Sequence, residues 1–427
     1  MSAEERFDAI IVGAGPAGSA CAYVLAKAGK SVLLVERGDT AGSKNVTGGR
    51  LYTYALELVE PGLFAQAPLE RKVVREQIMM LSSTGGITVD YVNYKFGENV
   101  PQSYTVLRAP FDEWFAGQAE AQGAMFAAGI LVDELIEADG RIVGIKAGDD
   151  EMFADVVIAA DGVNSFIAQK AGLISDITAH AVGVGAKEII QLPPEVIQDR
   201  FNLSEEEGVA RVVLRASAGV TGGGFFYTNK DSISLGLVLN PEELGRSGKK
   251  IHDLLQDYKL HPAIYPLIKD GTTIEYGAHL VPELGFHGVP KKLYRDGLVL
   301  IGDAAGMVIN TGTILRGIDL AIVSGVAAAR ALIEASEPGK VGPAYLQQLE
   351  QLQLLPTMRL YKGFHELMSL PRMFTTYPDM ANDMMKFMFS VDGNLPERMD
   401  KGMLRVLKSH VTLGQLVADG WKGFKSI

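Results

Sequence analysis

"FDAIIVGAGPAGSACAYVLAKAGKSVLLVERG", residues 7–38, decides the fold. Phe7 to Val12 is a short apolar run of the kind a buried strand needs, and "GAGPAG" follows with glycines at 13, 15 and 18. Ala17, Ala20, Cys21, Val24, Leu25 and Ala28 then recur at helical spacing on one face, and Gly29 ends the helix. "SVLLVERG" reads as a second strand finished by Glu36, so the stretch is a βαβ unit. Its glycines have separate jobs: a tight turn, close backbone approach to a pyrophosphate, and close packing of helix on strand, with the helix N-terminus facing the anion. Glu36, 18 residues past Gly18, is placed to accept hydrogen bonds from ribose hydroxyls and to repel a 2′-phosphate. Pro16 and Ala17 in the turn, and Arg37 beside Glu36, complete the expected cofactor contacts at this end. Cys21 reads as a small packed residue, not a nucleophile.

The remaining composition mostly excludes. With 427 residues, 47% of them hydrophobic, the chain can bury a large core split over two or three domains. A formal charge of -11 argues against nucleic acid, whose binding is dominated by lysine and arginine contacts to phosphate. The sequence runs directly into its first strand without a secretory signal, and no apolar run reaches the roughly 18 residues of a spanning helix. A cytoplasmic protein is expected, with any membrane contact peripheral. One cysteine permits neither an internal disulfide nor an iron–sulfur cluster held by this chain alone. The seven histidines lack metal-ligand spacing, so no metal is assigned, and no catalytic acid or base stands out.

Which dinucleotide is bound depends on the later chain. "DGLVLIGDAAG", residues 296–306, is a strand ending at Gly302 and Asp303. It closely resembles the segment of glutathione-reductase-like flavoproteins whose aspartate binds the ribityl chain of FAD; a helix N-cap aspartate is the other reading. The helix expected from about Gly317 points its positive end back at the same region, with Thr313, Ile314 and Arg316 just before it. "VLRAPFDEWFAGQAEAQGA", residues 106–124, resembles the arginine-plus-helix element of flavoprotein hydroxylases, making Arg108 either a phosphate contact or a surface ion pair. Asp161 and Gly162 match the DG motif of that group, and Asn45, Gly48 and Gly49 lie where such folds approach the flavin ring. No second dinucleotide fingerprint is present.

Several segments in order, among them "SKNVTGGRLY", "GVGAKEIIQLP", "TGGGFFYTNKDSISLGLVL", "YGAHLVPELGF" and "LVLIGDAAGMVINTGTILRGIDLAIVSG", resemble the electron-transferring flavoprotein:quinone oxidoreductase family. Its full-length members add a C-terminal ferredoxin-like domain with a four-iron cluster, which the absence of cysteine there excludes. The shorter FixC-type branch matches. That resemblance implies FAD as cofactor, an electron-transferring flavoprotein pair of the FixA and FixB type as electron donor, and a separate FixX-type ferredoxin-like protein carrying the cluster. It also implies a membrane quinone as acceptor at the cytoplasmic face, and a place in an electron-bifurcating complex. On the same fold, an NAD(P)H-dependent prenyl reductase of the geranylgeranyl-reductase type, or an aromatic hydroxylase, is the competing reading.

The expected fold class is α/β, a glutathione-reductase-like FAD-binding Rossmann fold with an inserted antiparallel β-sheet substrate domain and a helical C-terminal segment. The FAD-binding unit is discontinuous, over residues 1–80, 105–175 and 276–345. Residues 81–104 and 176–275, with alternating stretches such as "ARVVLRA" and "SISLGLVL", form the sheet domain. Residues 346–427 form the helical segment. Nine of the 15 methionines fall between Met358 and Met403, and Met380, Met384, Phe387 and Met388 share one helical face. That stripe is either core or a docking surface for the ferredoxin-like partner or the membrane. In "TGGGFFYT", Gly222, Gly223 and Gly224 read either as a β-bulge or as backbone left bare for a quinone ring, with Phe225, Phe226 and Tyr227 lining an apolar slot.

Overall fold

A computed structural model describes residues 6–44, 48–96, 100–175 and 177–426. Strand Arg6–Val12 lies between Val32–Val35 and Asp150–Ala159, parallel to both, with Met125–Ala127 and Leu298–Leu300 extending the array outward. Parallel sheets are covered on both faces, and Ile10, Ile11, Val157 and Ile158 are fully buried. Helices Pro16–Lys27 and Ile318–Glu334 pack on each other at short range because position 325 is glycine. A Cβ there would overlap the Ala17 carbonyl and stand 3.1 Å from the Cys21 nitrogen. Cys21 is fully buried and burial pushes its thiol pKa far up, in keeping with a packed residue.

A second, nine-stranded sheet runs in the order Thr272–Pro282, Val182–Gln191, Ser232–Leu239, Gly222–Thr228, Glu207–Leu214, Leu69–Leu81, Ser103–Leu107 and Gly48–Tyr52, with Gly86–Val92 beside Leu69–Leu81. It is antiparallel except where Glu207–Leu214 runs parallel to Leu69–Leu81. The domain divisions expected at 80/81 and 275/276 therefore fall inside strands of this sheet. Gly48–Tyr52, Leu69–Leu81 and most of Thr272–Pro282 belong to it, although they were expected in the FAD-binding unit. Their partners are distant in sequence, so composition does not mark the boundary.

One face of this sheet buries Ala186, Phe226, Leu235 and Leu237 against Ile197, Leu254 and Tyr258 of two helices. The opposite face, with Gly185, Lys187, Phe225 and Tyr227, looks across a cleft to the strand ends of the first sheet. Arg71, 1% exposed, fastens the strand Leu69–Leu81 to neighbouring turns: its guanidinium donates to the carbonyls of Asn229 (2.6 Å), Glu205 (2.8 Å) and Lys230 (2.9 Å). Carbonyl partners on several sides satisfy this buried cation.

The C-terminal segment is helical. Thr376–Phe389 and Met399–His410 meet where Gly402 admits the Phe387 ring; a Cβ at 402 would overlap it. Met380, Met384 and Phe387 are half-buried while Met388 is 42% exposed, so the methionine stripe is divided between packing and solvent. Leu413–Ser426 is held by Asp419, which accepts from Arg372 Nε and Nη2 at 2.7 Å each and from the Tyr377 hydroxyl at 2.6 Å. Its outer face leaves Val417, Trp421 and Phe424 exposed. Among the described residues no helix is long and apolar enough to cross a membrane.

Candidate functional site

The C-terminal ends of the parallel strands open into a cleft of about 430 Å³ between the two sheets. Such ends are where open α/β sheets place ligands. The first strand delivers the turn Gly13–Ala17, whose glycines are not interchangeable. Gly13 has φ +109° and a Cβ there would overlap the Ala160 carbonyl, whereas a Cβ at Gly18 would overlap the Gly13 carbonyl. Gly15 is different: its φ of -73° suits any residue, and only Arg108 Nη2, at 3.9 Å, comes near a Cβ built on it. The glycine there keeps the backbone open to the cleft. Helix Pro16–Lys27 starts at that point with no side-chain cap and no acid in its first turn, leaving its N–H groups and positive end to an anion.

Acids stand around the turn. Glu36, just past the second strand, accepts from the backbone N–H of Gly38 (2.8 Å) and Ala14 (3.1 Å) and lines the cleft. Asp161 accepts from Ile167 N at 3.0 Å through one oxygen, and its other oxygen is buried without a partner. Burial raises its pKa to about 6. Asp303 follows strand Leu298–Leu300 in a short 3₁₀ turn, and its pKa is raised by burial against the pull of Arg108.

The basic groups come from the second sheet and from the helix Arg108–Ala121 that follows its strand Ser103–Leu107. Arg108 is held by Asp112 in a two-point ion pair (2.9 and 2.7 Å), inside the cleft and not on the surface. Burial opposes its charge, and the Asp112 carboxylate more than offsets this. Lys187, on Val182–Gln191, has its pKa drawn down to about 7, first by burial and then by Arg108. His279, on Thr272–Pro282, is drawn down to about 3 by burial and by Lys187 and Arg108. Arg108 and the partly charged Lys187, with the neutral His279 alongside, stand near an uncapped helix start and favour an anionic ligand. Sequence reading missed Lys187 and His279, since only strand pairing brings "AKE" and "GAHL" to this wall.

A second cavity of about 300 Å³ adjoins the first; Phe225, Tyr227, Val238, Glu283, Asn310 and Leu315 line both. Gly222, Gly223 and Gly224 line the second. Strand Gly222–Thr228 pairs with both neighbours without a register shift, so the glycines do not form a bulge. Gly222, at φ +137°, has no room for a side chain against Leu239 (Cα 2.9 Å), and Gly224 has little against Tyr258 (3.1 Å). Gly223 faces the cavity with Phe225 and Tyr227, whose rings stack at 5.5 Å. Phe226 is fully buried on the other face. The expectation that it lines the slot is corrected by the alternation of a strand.

Of the other sequence-based candidates, Pro16, Ala17, Arg37, Gly48, Gly49 and Gly162 line the cofactor cleft, and so do Gly317 and Ile318 at the start of helix Ile318–Glu334. Gly302, at φ +61°, packs on Ala17. The structure does not bring Thr313 or Arg316 to this wall, and Ile314 lines the second cavity instead. Arg316 is engaged by Asp319 (2.8 Å from Nε) and by the Tyr54 hydroxyl (2.7 Å). Asn45 lies outside the described residues. Among the described residues no group of His, Cys, Asp and Glu is arranged to hold a metal.

Residues 8–97 match the family model of FAD dependent oxidoreductases, the class that the cleft and its glycine turn define. Residues 364–427 match the ETF-QO/FixC family C-terminal domain. The chain is 45% identical to the probable electron transfer flavoprotein-quinone oxidoreductase YdiS of Escherichia coli, over 98% of this chain and 99% of that protein. It is 45% identical to protein FixC of Salmonella typhi over the same shares. A solved geranylgeranyl bacteriochlorophyll reductase-like protein from Thermoplasma acidophilum superposes with a TM-score of 0.70 at 22% identity, covering 95% of this chain and 97% of that one, and shows the same fold. The chain belongs to the electron transfer flavoprotein-quinone oxidoreductase/FixC family; it is a FAD-dependent oxidoreductase with an electron-transfer role.

Proposed function

We propose that this chain takes electrons from a reduced electron-transferring flavoprotein and delivers them through FAD to a quinone seated in the second cavity. The carrying observation is the shared wall: the second cavity, bounded on one side by Gly223, Phe225 and Tyr227, shares the Phe225 and Tyr227 rings with the cofactor cleft. The name of the YdiS relative specifies the same donor and acceptor for that protein.

In this reading the turn Gly13–Ala17 and the adjoining helix hold the FAD pyrophosphate, aided by Arg108 and Lys187. Glu36 and Arg37 take the adenosine ribose end. Asp303 takes the ribityl chain, and Gly48, Gly49, Asp161 and Gly162 flank the remainder. Bound there, FAD supplies a carrier that exchanges one or two electrons. The donor is an α/β pair of the FixA/FixB type, and a FixX-type ferredoxin-like protein brings the iron–sulfur cluster that a chain with one buried cysteine does not hold. The assembly works as an electron-bifurcating complex, and the exposed Val417, Trp421 and Phe424 rest it on the cytoplasmic face of the membrane.

The test is to follow flavin bleaching with NADH, with NADPH and with a reduced electron-transferring flavoprotein, then reoxidation by quinone. Bleaching by the flavoprotein and quinone-dependent recovery is expected. Rapid bleaching by NADPH alone would overturn this reading in favour of a prenyl reductase, whose substrate the same cavity would admit.

A further inference from the structure

Reduction of a quinone consumes two protons, and where the second cavity meets the cofactor cleft its wall is Phe225, Tyr227, Val238, Glu283, Asn310 and Leu315. Of the six residues that line both cavities, only Glu283 and Tyr227 carry an acidic proton, and burial pushes the Tyr227 phenol further from use. Glu283 follows directly on strand Thr272–Pro282, anchored by its backbone N–H to the Ala181 carbonyl at 3.1 Å. Its side chain crosses over Gly183, where a Cβ would stand 2.7 Å from Oε1, so the glycine makes room for the carboxyl. Burial raises its pKa to about 7, leaving a substantial protonated fraction at neutral pH.

Behind Glu283 stands a row of histidines. His365, from the short helix Phe364–Met368, lines the same cavity half-buried and is hydrogen-bonded to the Glu283 backbone. The rings of His180 and His287 each lie 6.1 Å from that of His365, and both residues are exposed. The His365 pKa is lowered by burial and by His287 and His180, with Glu366 acting the other way. The remaining ionisable groups of this cavity are committed elsewhere: Arg246 pairs with Glu242 at 3.2 Å, and Glu243 accepts from Thr221 N at 2.8 Å. Lys187 and His279 belong to the cofactor cleft.

Resting on the reading of the second cavity as the quinone site, we infer that Glu283 is the proton donor to the bound quinone and that His365, His180 and His287 carry protons to it from solvent. The balance is simple. Two electrons would come from the bound reduced flavin, whose own proton would leave to solvent; the Glu283 O–H breaks as an O–H forms at one quinone carbonyl oxygen. A proton from His365 restores the carboxyl, and a second transfer by the same route completes the quinol. His180 and His287 recharge from water. The histidines are positioning and relay residues, and Glu283 is the group that meets the substrate.

The experiment uses the FAD-loaded chain with Glu283→Gln, Glu283→Asp and His365→Gln, assayed with a short-chain benzoquinone across pH 5–9. Ferricenium reduction, which takes up no proton, and flavin content report the integrity of each variant. Glu283→Gln should slow quinone reduction roughly a hundredfold and abolish the fall in rate above pH 7. Glu283→Asp should recover part of that loss, and His365→Gln should slow the rate less than Glu283→Gln. The infrared band of a protonated carboxyl near neutral pH should be missing from Glu283→Gln. A wild type that reduces ferricenium but no quinone would remove the quinone reading itself. A wild type that reduces quinone, matched in rate and pH profile by Glu283→Gln, would overturn the proton-donor assignment alone.

Discussion

Replacing each glycine of the first turn by alanine separates folding from cofactor binding. At Gly13 the added methyl overlaps the Ala160 carbonyl in a backbone at φ +109°. Strain of this kind costs about 1–3 kcal/mol, with overpacking of about 1–3 kcal/mol added, so Gly13→Ala should melt well below wild type even without FAD. At Gly15 the methyl meets no atom closer than 3.9 Å, and φ is ordinary. The fold should lose about 1 kcal/mol or less at this helix cap. That methyl nonetheless occupies the approach to the free N–H groups, and one lost hydrogen bond to a charged group is worth about 1.5–3 kcal/mol. FAD should therefore bind Gly15→Ala roughly ten- to a hundredfold more weakly. Melting of the apoprotein by circular dichroism and FAD titration by flavin fluorescence read the two effects independently. Wild-type FAD affinity in Gly15→Ala, or wild-type melting in Gly13→Ala, would refute the division of roles.

Three further outcomes follow from the site and the surface. Gly223→Val should block quinone reduction while FAD stays bound, because its side chain would enter the slot beside Phe225 and Tyr227; loss of FAD as well, in a cofactor assay, would make the glycine mere scaffold. Asp161 has a folded pKa of about 6 against 3.8 unfolded, so its contribution to stability is full below about pH 4 and lost as pH rises through 6. Apoprotein Asp161→Asn should gain on wild type over that window, by at most about 3 kcal/mol, in denaturation titrations at pH 4 and pH 7. Trp421→Ser with Phe424→Ser should weaken sedimentation with anionic liposomes severalfold without altering the melting temperature, since both rings are exposed; unchanged sedimentation would exclude this face as the lipid contact.

The parts of the fold that were legible in the sequence are those whose reasons are local. The turn after Val12, the acid at Glu36 and the small-residue helix each follow from a few adjacent positions. Asp161 and Asp303 were legible because each ends an apolar run. Lys187, His279 and Glu283 were not, because a side chain on or just past a strand reaches a cavity only through partners up to about a hundred residues away. The same distance hid the membership of Leu69–Leu81 in the second sheet. Phe226 is another kind of miss: alternation alone would have turned it away from Phe225 and Tyr227. Arg316 had the right charge beside the right helix, but Asp319 three residues on holds it back.

The contact of Gly325 with the Ala17 carbonyl also orders events in time. The helix that carries the first glycine turn completes its packing only when a segment some 300 residues later reaches it. A nascent chain with its first half synthesised therefore exposes an unfinished cofactor cleft, and such long-range closure is slow. FAD capture becomes a late step of biogenesis, and a shortage of flavin would leave a nearly complete chain waiting with apolar surface open to aggregation.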